Sequence, residues 1–322
     1  MAEERPLVSQ KRSVPYANLS FWGKVGRDIQ RRPLLYVIML PVLAYYILFA
    51  YKPMYGALIA FTDYTPGQPL LSNWVGFQNF EDFFYARDFK RLLYNTINIS
   101  LSSLLYGFPA PIVLALLLNE LRSRNFSRVI QTISYMPHFI SMVVICGMIL
   151  QFTSSKGIIT QILTSLGLID RPFALLSKAR YFVPVYVISG IWQEIGYGSI
   201  IYLAALTGVS MELYEAATID GANRWQQTLS ITLPGIMPTI ITMLILRMGS
   251  IMNVGSEKII LLYNPSIYSS ADVISSYVYR KGIQSAQYSF STAVGLFNSV
   301  INCTLLVLVN VISRRVTETS LW

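Results

Sequence analysis

Charge is scarce in this sequence. Only 13% of its 322 residues are Asp, Glu, Lys or Arg, about half the share usual in soluble domains, whereas 53% are hydrophobic. A soluble chain of this length could not cover its own surface with so few charges, so a membrane protein is expected. Histidine occurs once, at His138, and cysteine twice, at Cys146 and Cys303. Both cysteines fall in apolar segments, where they read as small packing residues. A disulfide framework is therefore not expected, and neither is a metal site, because no Cys or His pair stands at ligand spacing. There is no G-x-x-x-x-G-K-[ST] phosphate loop and no second histidine for a relay. The chain reads as non-catalytic, binds no cofactor of its own and cannot hydrolyse ATP by itself.

What is present is a set of six apolar segments long enough to cross a bilayer, roughly 34–51, 95–119, 129–152, 182–206, 235–262 and 289–313. An all-α membrane protein with six transmembrane helices follows. Several of these segments contain Pro or Gly, which neighbouring helices can accommodate by satisfying the freed backbone groups. The apolar run after Pro33 continues too far for a signal peptide and lacks a small-residue cleavage site, so the first span is expected to be retained. Ahead of it, residues 20–32 place Phe21, Val25 and Ile29 four apart, with Lys24, Arg27, Arg31 and Arg32 elsewhere on the wheel. That pattern suits a helix lying against membrane lipid, with an unstructured basic tail as the alternative.

The basic residues give an orientation. Thirteen fall in the N-terminal segment, the 120–128 loop, the 210–234 loop and the C-terminal tail, against ten in the loops on the opposite side. The seven ahead of the first span carry most weight in insertion, which predicts cytoplasmic N- and C-termini. A net charge of +9 raises the question of nucleic acid. The charges are scattered over membrane-flanking positions where they meet anionic lipid, so no nucleic-acid partner is expected.

Polar residues inside apolar spans are functional candidates because each is costly there without a partner or water. The fourth span carries Gln193, Glu194 and Tyr197 among Gly190, Gly196 and Gly198; the fifth carries Arg247 and Asn253, with Glu257 and Lys258 at its outer end. The sixth holds Asn298 and Asn302 one turn apart, with Asn310 further along the same face. Each could equally make a hydrogen bond between helices. Pro137 should kink the third span, and His138 beside it, with no carboxylate near it in sequence, reads as a packing or hydrogen-bonding residue rather than a proton relay.

Between the fourth and fifth spans lies a polar stretch, YEAATIDGANRWQQTLSITLP, from Tyr214 to Pro234. Ser210 can cap a short helix whose first turns hold Glu212 and Glu215. Gly221 is the natural stop, and Asn223 with Gln226 reads as the capping box of a second short helix that Pro234 closes. The expectation is a rigid helix, Gly turn and helix tied to a span at each end. Glu215-Ala216-Ala217, three residues, Gly221, nine residues, then Ile231-Thr232-Leu233-Pro234 resembles the EAA signature of permease subunits of binding-protein-dependent ABC importers. The outer run WVGFQNF, residues 74–80, is similar to the G-x-x-N-[FY] element of the maltose-type branch, and Met136-Pro137-His138-Phe139 resembles an MPxF stretch of its oligosaccharide importers.

The resemblance implies the type I importer permease fold in a bacterial inner membrane. Its domains would be a cytoplasmic N-terminal segment (1–33), a six-span permease domain (34–313) with the EAA loop at 210–234, and a cytoplasmic tail (314–322). It also implies a second homologous permease, two copies of a cytoplasmic ABC ATPase that bind ATP and Mg, and an extracytoplasmic solute-binding protein that delivers an oligosaccharide. Carried over by position, Glu215, Ala216, Ala217, Gly221, Ile231, Leu233 and Pro234 would couple to the ATPase, while Gln193, Glu194, Tyr197, Arg247, Asn253 and Asn298 are candidates for the substrate path. Arg247 within a span would suit a carboxylate-bearing sugar such as an alginate fragment. The alternatives are an ABC permease for a non-sugar substrate, a secondary transporter driven by an ion gradient, which would be expected to show inverted repeats, and a membrane sensor or scaffold.

Overall fold

The computed structural model describes residues 21–317. The basic residues Arg5, Lys11 and Arg12 of the expected N-terminal segment and the last five residues of the tail lie outside that range. The described chain is helical, with no β-strand; an isolated antiparallel bridge joins Thr62 and Trp74.

Residues 21–58 belong to a first compact unit. Helix α1 (Phe21–Arg31) occupies the segment expected to lie along lipid. Helix α2 (Pro33–Tyr46) starts on a proline, which needs no helical N–H at that position, and helical structure continues to Phe61, further than the apolar pattern suggested.

The second unit begins at Ile59. Its elements are α3 (Gln78–Tyr85), α4 (Phe89–Asn119), α5 (Arg124–Tyr135), α6 (Met142–Phe152), α7 (Ile158–Ser165), α8 (Phe182–Leu206), α9 (Met211–Ile219), α10 (Arg224–Met248), α11 (Ser256–Leu262), α12 (Ile274–Tyr279) and α13 (Tyr288–Thr317). The central element is α8, which packs on α4, α5 and α10. The WVGFQNF run folds around Phe61, whose ring stacks on Trp74 at 5.7 Å and meets Phe77 and Phe80 edge-on or tilted. Asn79 donates to the carbonyls of Ala60 and Thr62, both at 3.0 Å, which gives the Asn of that element a structural job.

Two expected spans are broken. The third apolar segment is not a kinked helix: α5 ends in a 3-10 turn at Met136–Phe139, and the chain bends by 101° into α6. Pro137 lacks the N–H that would continue the ladder, and Ser141 starts afresh by accepting the Val144 N–H at 3.4 Å. The fifth segment ends as a helix at Met248, and α11 follows only after a non-helical stretch. Bare backbone at that depth needs partners. Ser100 Oγ donates to Ile251 O at 2.6 Å, Asn302 Oδ1 accepts from Met252 N at 3.0 Å, and Ser275 Oγ donates to Val254 O at 3.1 Å. Among the described residues four helices remain long and apolar enough to cross a membrane, or up to six if each bent pair counts as one. Cys146 is buried as expected, but Cys303 lies on an exposed face of α13 and is not a core packing residue.

Glycine sets the closest approach between helices. A Cβ on Gly196 of α8 would overlap the backbone carbonyl of Ser134 on α5, the contact that small residues permit in membrane bundles. Gly196→Ala is expected to destabilise the protein by about 1–3 kcal/mol through overpacking. Gly147→Ala on α6, where a Cβ meets open space, should not, and thermal unfolding of the two purified variants distinguishes them.

Candidate functional site

α8 passes a cavity of about 840 Å³, walled also by parts of α4, α10, α11 and the break at 249–255. Its lining mixes apolar wall with Ser100, Ser103, Tyr186, Gln193, Glu194, Arg247, Ser250, Asn253, Glu257 and Lys258. Gln193, Glu194, Arg247 and Asn253 are thus brought together from three stretches of sequence, and a cavity of this size and mixed lining can hold a small polar ligand.

Two other expected residues lie off that wall. Asn298 of α13 donates to Asn253 Oδ1 at 2.8 Å, and Asn302 donates to the same oxygen at 3.1 Å. The asparagine face of α13 therefore clamps the broken segment after α10, the hydrogen-bonding role that the spacing left open. Tyr197, one turn beyond Gln193, stacks flat on the His138 ring with centroids 3.8 Å apart. His138 itself is not remote from a carboxylate: its Nδ1 lies 3.0 Å from Glu194 Oε2. The partners are 56 positions apart in sequence, and only the packing of the Met136–Phe139 turn on α8 joins them. A signal existed, since two ionisable residues in apolar segments each need a partner, but it did not say which one.

Next to α8 and turned from it by 75° sits α9. Ser210 Oγ accepts from Glu212 N at 3.2 Å and caps it. It ends in a Schellman arrangement: Ala222 N donates to Ala217 O at 2.9 Å and Gly221 N to Thr218 O at 3.1 Å, with Gly221 at φ +78°. That left-handed geometry is the reason for glycine here. Asn223 and Gln226 form the expected capping box at 2.8 and 2.9 Å. Pro234, however, does not close the second helix. α10 runs through it, preceded by a π turn at Thr228–Thr232, whose wider spacing absorbs the register around a residue with no N–H. The Tyr214 and Thr232 hydroxyls meet at 2.9 Å and tie α9 to that turn, while Arg224 pairs with Glu120 at 3.0 Å. Met211, Leu213, Ile219 and Trp225 stay exposed on the unit, as do Glu215, Ala216, Gly221 and Pro234; Ala217, Ile231 and Leu233 are half-buried.

A helical membrane protein with a cavity of mixed lining beside its central helix, and a stiff helix–turn–helix next to that helix, has the parts of a transport subunit. Residues 107–318 match the family described as the binding-protein-dependent transport system inner membrane component, and the chain belongs to that family. It is 44% identical over 317 residues to Protein LplB of Bacillus subtilis strain 168, covering 98% of this chain and 99% of that protein. It is 39% identical over 290 residues to the polygalacturonan/rhamnogalacturonan transport system permease protein YteP of the same organism, covering 89% of this chain and 90% of that one. A crystal structure of a bacterial ABC transporter involved in the import of the acidic polysaccharide alginate contains a chain 44% identical to this one. The two superpose with a TM-score of 0.83 over 91% of this chain and 99% of that chain. The structure of the bacterial alginate ABC transporter in complex with alginate pentasaccharide-bound periplasmic protein gives 0.84, at 44% identity over 92% and 99%.

Proposed function

We propose that this chain is the permease subunit of an ATP-driven importer and forms the membrane path of an acidic oligosaccharide of the alginate or pectin-fragment type. An extracytoplasmic binding protein delivers the sugar, and a second homologous permease completes the path. Two copies of a cytoplasmic ABC ATPase, which carry the ATP and Mg, dock on the 210–234 loop through Glu215, Ala216, Ala217, Gly221, Ile231, Leu233 and Pro234. Both termini and this loop are cytoplasmic, and the 34–313 region forms one permease domain in the inner membrane. ATPase closure pulls on α9. Because α9 is locked to the start of α10 through Tyr214 and Thr232, the pull reaches two spans as one body and exposes the cavity to the other side.

The observation that carries the substrate reading is Arg247, which lines the cavity and makes no ion pair among the described residues. A guanidinium is suited to bidentate recognition of a carboxylate. Relatives named for alginate and polygalacturonan point to the same class of sugar. In vesicles containing the whole transporter, Arg247→Ala is expected to lower uptake of a uronate oligomer about tenfold, as the loss of one charged contact does, and to affect a neutral oligomer less. Unchanged uronate uptake with loss of the neutral one would contradict the acidic substrate. Uptake driven by an ion gradient without ATP would contradict the importer.

A further inference from the structure

The charge that the sequence placed at the outer end of a span is instead inside the wall of the cavity. Lys258, on α11, is 5% exposed, yet it lines the cavity together with Tyr186 and Gly190 of α8. Its Nζ donates to the Tyr186 carbonyl at 3.1 Å and lies over the Tyr186 ring, 4.9 Å from the centroid. Gly190 faces the ammonium directly: a Cβ there would stand 3.6 Å from it, in ordinary contact. An ammonium has three donors. One is used on a backbone carbonyl, and no carboxylate of the described residues forms an ion pair with it. A buried cation without a counter-ion is costly, and the surroundings that could relieve it are those of the cavity.

Neither carboxylate on the same wall stands within ion-pair distance of this cation. Glu194 is engaged with His138 at 3.0 Å, and Glu257 is exposed and in no ion pair. We propose that Lys258 is a carboxylate-binding residue of the path, its two unused donors taking a uronate carboxylate of the passing oligosaccharide, with Arg247 offering the second cationic position of the same cavity. This rests on the reading of the cargo as an acidic oligosaccharide. It adds a specificity residue to the six path candidates drawn from the sequence.

The test uses the whole transporter in vesicles with ATP inside, and two probes: a trimer of uronic acid and the same trimer with its carboxyls reduced to alcohols. The readout is the ratio of acidic to neutral uptake. With the binding protein unchanged throughout, an altered ratio belongs to the permease. Lys258→Met is expected to lower the ratio at least about tenfold, and Lys258→Arg to keep it within about threefold. Gly190→Asp, which retains the ammonium and supplies a built-in counter-ion beside it, should lower the ratio like Lys258→Met, and it decides the matter if the methionine variant does not assemble. A wild-type transporter with no preference for the acidic trimer overturns the acidic-cargo reading and the subsite with it. A wild type that prefers the acid, with variants that keep the preference, overturns the Lys258 subsite alone.

Discussion

Gly221→Pro is expected to abolish co-purification of the ATPase and ATP-dependent uptake, while the protein still inserts in the membrane. Gly221 sits at φ +78° and its N–H donates to Thr218 O at 3.1 Å. Proline is held near φ −65° and has no N–H, so it removes both features at once, at a local cost of about 3 kcal/mol or more. The Schellman turn that fixes the angle between α9 and α10 then cannot form. Gly221→Ala separates this geometry from mere bulk. A Cβ at that position meets open space, so alanine bears only the left-handed penalty of about 1–2 kcal/mol and should retain substantial uptake. The measurements are ATPase recovered per permease on affinity purification and uptake rate in vesicles. Full ATPase recovery with the proline variant would remove the docking role from this loop.

A second large effect is expected away from the cavity. Asp272 is fully buried and receives Arg280 through two contacts, at 2.6 and 2.8 Å, Arg91 at 3.1 Å and the Ser276 hydroxyl at 2.8 Å. Hydrogen bonding to Asp272 holds the Arg280 pKa above its ordinary value. Asn95 of α4 meanwhile donates to the Asp272 carbonyl at 2.9 Å, and Thr96 Oγ1 accepts from Ile274 N at 3.0 Å. The start of α4 and the segment leading into α12 are thus one polar knot. Asp272→Ala leaves Arg280 without its carboxylate, while Arg91 keeps Asp88 at 2.9 Å, and it is expected to destabilise the protein by about 3 kcal/mol, a large part of a typical total. The thermal midpoint of the purified transporter should fall by about 10 °C. Replacing Arg280 with Met alongside it should recover part of the loss, since the half-buried guanidinium left without a carboxylate is then gone. A single Asp272→Ala variant with an unchanged midpoint would show that Arg280 is well solvated without it.

Several local features were legible because they are set by neighbours in sequence. The Ser210 cap, the Gly221 stop and the Asn223–Gln226 box lie within a few residues of what they stabilise, and all three are present. Pro234 was misleading for the same local reason: proline ends a regular helix, but a π turn ahead of it lets α10 continue. Apolar length predicted membrane spans but not their continuity, because the partners that permit the breaks, Ser100, Ser275 and Asn302, come from other helices.

The sequence by itself determined the membrane class, the helix–turn–helix at 210–234 and the residues that carry its resemblance, since scarcity of charge, capping chemistry and fixed spacing are properties of the chain in one dimension. Tertiary structure alone decided that His138 meets Glu194, that Asn298 serves Asn253, and that Lys258 lines the cavity beside Tyr186. Each of those outcomes depends on which faces of distant helices meet, and a polar residue in an apolar segment announces that it needs a partner without naming it.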